Sequence, residues 1–258
     1  MDSSLDARRS TVRKISRPQD IDIPEDLEDL EEMYDFFNTM ADVWDQFSQE
    51  RMNLVSTSPF YQAVAAQIET DQTSPRLLDI GVGTGLELEP ILQKAPHAII
   101  TANDLTPKML EQLKAKFSDR KEQFTFIQGS YLDLDFGEHL YDYVLSTLTV
   151  HHLPPQTKTA LYHKMYRALK PGGRYIEGDH SSSEERERFA LHWYNEYISS
   201  LQGGERGEWN YNMPLSLPTQ IQLLTSAGFT EVELTWDGRD EEGNGNIVLV
   251  AKTSPSHA

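Results

Sequence analysis

A glycine-rich turn is the feature of this sequence with the clearest chemistry. Residues 78–85 read Leu-Asp-Ile-Gly-Val-Gly-Thr-Gly and join an apolar run to the start of a helical pattern. Glycines let the backbone turn sharply and let a ligand approach main-chain atoms, and the following helix start offers free N–H groups. In open α/β sheets such a turn lies at the carboxyl ends of the strands, where ligands bind. The turn therefore predicts a nucleotide site, with a tight turn that binds nothing as the alternative.

The spacing of the glycines limits which nucleotide fits. A dinucleotide fingerprint reads G-x-G-x-x-G/A, whereas here Leu86 occupies the last position of that pattern. A P-loop is excluded because no Gly-Lys-Ser/Thr follows. Asp104 ends the next predicted strand, where a carboxylate can accept hydrogen bonds from both hydroxyls of a ribose. Capping of the following helix is its other interpretation, although Thr106 already occupies the capping position.

Two pairs of titratable residues follow later strands and are candidates for proton transfer. His151 and His152 come after the fourth predicted strand, and Asp179 and His180 end the fifth. Imidazole titrates near neutrality, which suits a general base. The alternatives are a purely structural role and a metal site. The spacing matches no standard metal site, so we predict none, and we take His151, Asp179 and His180 as the catalytic candidates.

Alternating strands and helices must position these residues. From residue 76 onward, apolar runs alternate with helical patterns, which indicates βαβ units and a parallel sheet. The link between the last two strands contains no helix, so this pair should be antiparallel. We predict an α/β fold with a doubly wound, seven-stranded, mostly parallel sheet and an antiparallel last strand. The predicted strands are 76–81, 98–104, 123–129, 141–147, 173–179, 230–236 and 246–252, and the predicted helices near them are 85–94, 106–117, 155–169, 184–201 and 219–227.

The flanking segments complete the predicted domain organisation. Residues 1–19 are polar and basic and are predicted to be a flexible tail. Residues 20–258 form a single domain, divided into a helical lid (20–70), a cofactor-binding core (74–180), a substrate-side insertion (181–218) and a C-terminal helix with a strand pair (219–258). A helix in the lid should turn one apolar face inward, and that face consists of Leu27, Leu30, Tyr34, Phe37, Ala41 and Trp44. A second lid helix is predicted over 59–68.

The amino-acid composition limits the classes of molecule that the protein is expected to bind. The net charge is −18 and there are no cysteines, which disfavours nucleic acids and anionic membranes and excludes disulfides and thiolate nucleophiles. No apolar run is long enough to span a bilayer, and the N-terminus lacks a secretory signal pattern. We predict a cytoplasmic protein with a small-molecule acceptor. A homodimer is one option, because the acidic segment 20–50 could pack on its own domain or on a partner.

Five motifs taken together resemble the class I S-adenosylmethionine-dependent methyltransferases. They occur in the order and spacing of that family over about residues 74–252, and they read LLDIGVGTG, NDLTPKML, FIQGSYLDLDF, YDYVLSTLTVHHL and LKPGGRYIEGD. The antiparallel last strand is also similar to that family's seventh strand. The resemblance implies S-adenosyl-L-methionine as cofactor and methyl transfer to an acceptor as activity. The alternatives are a binding module without catalysis and an NAD(P)-dependent oxidoreductase.

The resemblance also implies roles for individual residues. Asp79 and the backbone of the turn would hold the amino-acid portion of the cofactor, Asp104 the ribose and Leu105 the adenine. At Ser130 the family usually has an acidic residue that meets the adenine amino group. Here either the serine hydroxyl makes that contact, or the amino group relies on water or backbone. Thr147 would flank the methionine portion. The full implied set is Asp79, Gly81, Gly83, Gly85, Asp104, Leu105, Ser130, Tyr131 and Thr147.

Overall fold

The chain folds around a seven-stranded sheet. The computed structural model describes residues 8–12, 14–15, 30–69, 73–200 and 209–255. A two-stranded ribbon is formed by β1 (Lys14–Ile15) and β2 (Leu30–Glu31). The strands of the main sheet are β3 (Arg76–Ile80), β4 (Ile99–Asp104), β5 (Phe124–Gln128), β6 (Tyr141–Thr147), β7 (Leu169–Ser181), β8 (Glu231–Arg239) and β9 (Gly245–Lys252).

Helices flank this sheet and cover one of its ends. Short 3₁₀ turns lie at 41–43, 118–123 and 150–152. The α-helices are α1 (Met33–Met40), α2 (Trp44–Met52), α3 (Pro59–Ala66), α4 (Leu88–Lys94), α5 (Pro107–Lys116), α6 (Pro155–Ala168), α7 (Glu184–Ser200) and α8 (Leu217–Ser226). Within the described residues, no helix has both the length and the apolar character that a bilayer crossing requires.

The strand order of the sheet confirms the predicted fold. Its order is β5-β4-β3-β6-β7-β9-β8. The pairs from β5 to β7 are parallel, and β9 is antiparallel to both of its neighbours. The chain runs outward from β3 to β5 and then crosses back to β6 beside β3. Such a reversal opens a crevice at the carboxyl ends of the strands on either side of it.

Both faces of the sheet are buried, because neighbouring side chains of a strand point to opposite sides. On β3, Leu77 joins a core with α3, α4 and α5, whereas Leu78 joins a second core with α6 and α8. On β6, Tyr143 and Val144 divide in the same way. Helices on both faces are the arrangement that a parallel sheet requires.

The predicted lid differs from the structure in two respects. The expected single helix is two helices, α1 and α2, joined by a 3₁₀ turn. Its buried face is Met33, Phe36 and Met40, whereas Tyr34 on the predicted inner face is 37% exposed. The Glu32 side chain caps the helix by accepting a 2.8 Å hydrogen bond from the Asp35 N–H. The buried face is set by packing, because Phe36 and Met40 cluster with Val12 of the N-terminal segment. Residue 27 lies outside the described residues, and 30 belongs to β2.

The second predicted lid helix packs elsewhere. It is α3, and it lies against the sheet and contributes Phe60 and Val64 to the first core. Gly178 on β7 allows this close approach, because a Cβ atom there would overlap both of these side chains. Segment 59–66 therefore belongs to the α/β core as much as to the lid.

Part of the predicted flexible tail is packed onto the lid. Residues 14–15 pair with 30–31, and Val12 packs against α1. The Arg9 guanidinium donates to both carboxylate oxygens of Glu31 at 3.1 and 3.0 Å, and Lys14 lies 3.2 Å from the same carboxylate. Glu31 is only 4% exposed, and a buried carboxylate needs such cations. The prediction of a flexible tail is therefore wrong for 8–12 and 14–15.

A charged pair is enclosed beneath α6. The Lys158 ammonium lies 3.2 Å from the Glu177 carboxylate, and each side chain is 1% exposed. The hydroxyls of Tyr162 and Tyr175 donate to that carboxylate at 2.6 and 2.9 Å. Breaking a buried pair by removing one partner leaves an uncompensated charge, which costs about 3–5 kcal/mol.

We expect Lys158→Met to lower Tm by roughly 10 °C, because a charge is stranded beneath α6. The double variant Lys158→Met with Glu177→Gln should regain most of that loss. Lys108→Met, at an exposed position of α5, is the matched control and should melt like the wild type. Thermal denaturation followed by circular dichroism measures all of these, and a Tm of Lys158→Met within 2 °C of the control would contradict the prediction.

Candidate functional site

A cleft, called the cavity below, opens where the strand order reverses, and its empty space, including the part open to solvent, is about 720 Å³. Its floor is the glycine turn after β3, and its sides come from the ends of β4 and β6 and from the loop after β5. The lid helices α1 and α2 form the opposite wall with Met33, Phe37, Trp44 and Ser48. The other lining residues of the cavity are Tyr61, residues 81–87, Asp104, Leu105, Met109, Ser130, Tyr131 and residues 147–149.

The glycine turn has a backbone that other residues would strain. Gly81 and Gly85 have φ values of 65° and 71°, in the left-handed region that favours glycine. A Cβ atom at Gly81 would overlap the Thr149 side chain, and one at Gly85 would overlap Leu113 of α5. The turn can therefore lie directly against β6 and α5, and its main chain lines the cavity.

Asp104 connects the turn to the next strand. One carboxylate oxygen accepts a 2.9 Å hydrogen bond from the Gly83 N–H, and the other accepts from the Thr106 N–H at 2.8 Å and its hydroxyl at 3.0 Å. Burial raises the pKa of Asp104, and these hydrogen bonds act against that rise. The side chain thus holds the N-cap residue Thr106 rather than capping α5 itself, and no described side chain caps that helix. It also lines the cavity.

Two carboxyl groups, called the acidic pair below, meet beneath the turn. Asp79 is fully buried on β3 and Glu87, which precedes α4, is 4% exposed. Neither Asp79 oxygen has a hydrogen-bond donor in the described structure, because Glu87 presents another carboxyl group. Burial and then the charge of Glu87 raise the pKa of Asp79 well above its ordinary value. Burial likewise raises the pKa of Glu87 to about 7.

The adenine and methionine positions implied by the resemblance also reach the cavity. Leu105, Ser130, Tyr131 and Thr147 all line it. The Ser130 hydroxyl accepts a 3.0 Å hydrogen bond from the Leu132 N–H, and its own proton is available to donate. The Thr147 hydroxyl is buried and has no partner in the described structure.

The three catalytic candidates lie together, with His152, in what we call the histidine cluster. His151 Nδ1 lies 2.6 Å from one Asp179 oxygen, and the rings of His151 and His180 are 4.6 Å apart. The Asp179 carboxylate also accepts from the backbone N–H groups of Val150, His151 and His180 at 3.0, 3.0 and 2.8 Å. Burial alone raises the pKa of Asp179, but His151 outweighs it and holds that pKa below the usual range.

The other two histidines of the cluster are neutral at pH 7. Burial and the neighbouring His151 lower the pKa of His180 to about 4 and that of His152 well below its ordinary value. Among the described residues, no group of three or more His, Asp or Glu side chains is arranged to hold a metal ion.

The histidine cluster does not form part of the cavity wall. The lining residues end at Thr149, whereas His151 is 5% exposed and Asp179 is fully buried. The insertion covers the cluster, since the Met213 N–H donates to the His151 carbonyl at 2.9 Å. Phe37 contacts both the cavity and the histidine cluster, because it lines the cavity and its ring lies 5.9 Å from that of His152.

Several cavity residues were missed by sequence reasoning. The Thr84 hydroxyl donates to Asp45 of α2 at 2.5 Å, and Lys116 of α5 donates to the same carboxylate at 2.7 Å. These bonds hold the lid on the turn. Glu87 and Ser48 were missed as well. An acidic residue two positions after the last glycine could have signalled Glu87, but nothing local distinguishes Asp45 or Ser48 from other acidic-segment residues.

Comparisons with known proteins agree with this geometry. The family model described as "Methyltransferase domain" matches residues 77–173. Malonyl-[acyl-carrier protein] O-methyltransferase of Herminiimonas arsenicoxydans is 31% identical over 193 residues, covering 72% of this chain and 66% of that protein. Carboxy-S-adenosyl-L-methionine synthase of Wolinella succinogenes is 25% identical over 224 residues, covering 80% and 90%. Other curated relatives are longer, and the chain spans 18% of one and 45% of another.

Solved structures show the same fold. An O-methyltransferase family protein from Burkholderia thailandensis superposes with a TM-score of 0.60 at 18% identity, over 86% of this chain and 61% of that chain. The sheet order, the glycine turn with Asp104, the family model that covers that turn and Asp104, and the 31% identical relative lead to one assignment. The chain belongs to the class I S-adenosylmethionine-dependent methyltransferases, whose cofactor is S-adenosyl-L-methionine.

Proposed function

We propose that the protein transfers a methyl group from S-adenosyl-L-methionine to a small, partly apolar acceptor. The observation that carries this proposal is the cavity itself, bounded on one side by the glycine turn and Asp104 and on the other by the aromatic side chains of the lid. When bound, the cofactor supplies a methyl group already activated on a sulfonium. The protein's contribution is then to align the acceptor and exclude water.

The residues that are present fit the cofactor. The unpaired oxygens of Asp79 suit the ammonium of its amino-acid portion, next to the backbone of the glycine turn. The Asp104 carboxylate suits the ribose hydroxyls, and Leu105 offers an apolar surface to the adenine. Ser130 can donate to the base or leave that contact to water, and Thr147 lies where the methionine portion would end.

The chemistry of the wall selects the acceptor class. Phe37 and Trp44 pack edge to face with ring centroids 5.3 Å apart, and with Met33 they present an apolar, aromatic surface. Glu87 and Asp104 add negative charge on the opposite side. The wall and the net charge of −18 disfavour polyanions. The relatives are named for different reactions, so we take the acceptor class from the wall alone.

We propose His151 as the base that takes the acceptor's proton, held by Asp179. The 2.6 Å contact of Nδ1 with that carboxylate leaves Nε2 to accept a proton. His180 packs against this ring and is not needed as a base. This role requires an acceptor that extends from the cavity past Thr149 to the histidine cluster. The acceptor must therefore be larger than the nucleophilic group that receives the methyl group.

We expect the protein to bind S-adenosylhomocysteine in a calorimeter, and Asp104→Asn to weaken that binding at least tenfold, because a charge-assisted hydrogen bond contributes about 1.5–3 kcal/mol. Asp119→Asn, at an exposed position, is the matched control and should bind like the wild type. NADH should produce no heat. Binding of NADH in preference to S-adenosylhomocysteine would contradict the proposal.

Turnover is tested with a panel of small aromatic hydroxyl, carboxyl and amine compounds. We expect His151→Asn to slow methyl transfer about a hundredfold and to leave the affinity for S-adenosylhomocysteine within twofold of the wild type. The exposed-site control His97→Asn should transfer the methyl group at the wild-type rate. Nucleoside binding without turnover of any compound would instead favour a non-catalytic binding module.

A further inference from the structure

Among the described residues, none donates a hydrogen bond to the Asp79 member of the acidic pair. Asp79 has two buried oxygens and no donor in the described structure. Glu87 lines the cavity beside it. Carboxylates only accept hydrogen bonds, so the two groups can bond each other only while one carries a proton. An enclosed ionised pair without a cation would be strongly unfavourable.

We propose that Glu87 completes the site for the cofactor's amino-acid portion, and that the acidic pair shares a proton which leaves to solvent when the ligand ammonium binds. This inference rests on the proposed function. It adds a second carboxyl group to the cofactor site and couples cofactor binding to proton release.

The charges around the pair favour this exchange. Asp104 on β4 faces Asp79, and Asp45 on α2 faces Glu87, and both are negative. Lys116 on α5 acts on Glu87 from the other side, but it already donates to Asp45 at 2.7 Å. The Tyr61 hydroxyl on α3 faces Glu87 and Asp45. Burial, and then these two charges, raise the pKa of Tyr61 well above its ordinary value, so the hydroxyl stays protonated. A ligand cation is the charge that this environment lacks.

The proton balance follows directly. In the free protein one carboxyl O–H donates to the other carboxylate. In the complex the ammonium N–H groups donate to two carboxylates, and the displaced proton goes to the buffer. Because burial raises the pKa of Glu87 to about 7, the pair is protonated below that pH and ligand binding must displace the proton. Affinity should therefore fall as the pH falls below 7.

Calorimetry of the full chain tests this with S-adenosylhomocysteine in two buffers of different ionisation heat. At pH 6.5 we expect release of about 0.5–1 proton per ligand, and a Kd about fivefold lower at pH 7 than at pH 6. A ligand control is 5′-methylthioadenosine, which lacks the amino-acid portion and should bind without proton release. Binding of both ligands with equal proton release, or with none, overturns the inference.

The matched variants are Glu87→Gln and Glu89→Gln, the latter exposed in the first turn of α4, two residues further on. Glu87→Gln should release less than half as many protons as the wild type at pH 6.5 and change its affinity less than twofold between pH 6 and pH 7, whereas Glu89→Gln should match the wild type. If Glu87→Gln fails to fold, the comparison of the two ligands on the wild-type chain decides alone. Absence of any S-adenosylhomocysteine binding overturns the proposed function together with this inference, whereas tight binding without proton release overturns only the latter.

Discussion

Negative charge buried at one end of the sheet is the constraint on which the rest of the site depends. Glu87 and Asp104 line the crevice, Asp79 lies buried behind the lining, and each is almost removed from water. Asp104 is compensated by donors of the turn and of Thr106, which precedes α5. Within the described residues the two Asp79 oxygens have no such donors, and a buried carboxylate of this kind is stabilised by a proton or by a cation.

A half-exposed carboxylate fastens the lid to the cofactor turn. Asp45 of α2 is held by the Thr84 hydroxyl and by Lys116, so the lid is fastened to the cofactor turn and to the helix beyond it. The N-terminal segment in turn fastens the lid, through the contacts of Arg9 and Lys14 with Glu31. Further along, the Asn210 N–H donates to the Glu31 carbonyl at 2.9 Å. The lid, the insertion and the N-terminal segment therefore meet at one buried residue, Glu31. The N-terminal segment contacts its carboxylate and the insertion contacts its backbone carbonyl.

A second charged network lies deeper, under α6. Lys158 offsets Glu177 and also lowers the pKa of Asp179, although less than His151 does. The carboxylate that orients His151 thus shares its environment with a fully enclosed ion pair. A substitution of Lys158 in α6 would change the electrostatic environment of Asp179 without contacting the acceptor. Substitutions of Thr149 or Phe37 would instead change the cavity wall directly.

Local chemistry determined much of this protein from the sequence alone. The alternation of strands and helices, the left-handed glycines of the turn and the position of Asp104 depend on near neighbours in the chain, and the structure has them where they were predicted. What depends on distant segments could not be derived in this way. The buried face of α1 was misplaced because it packs on Val12 of the N-terminal segment, and that segment was predicted to be flexible because its partner Glu31 is buried only in the folded chain. Likewise, only the tertiary structure placed Glu87 against Asp79 and set the histidine cluster behind the cavity wall, because burial and charge compensation arise from atoms that folding brings together.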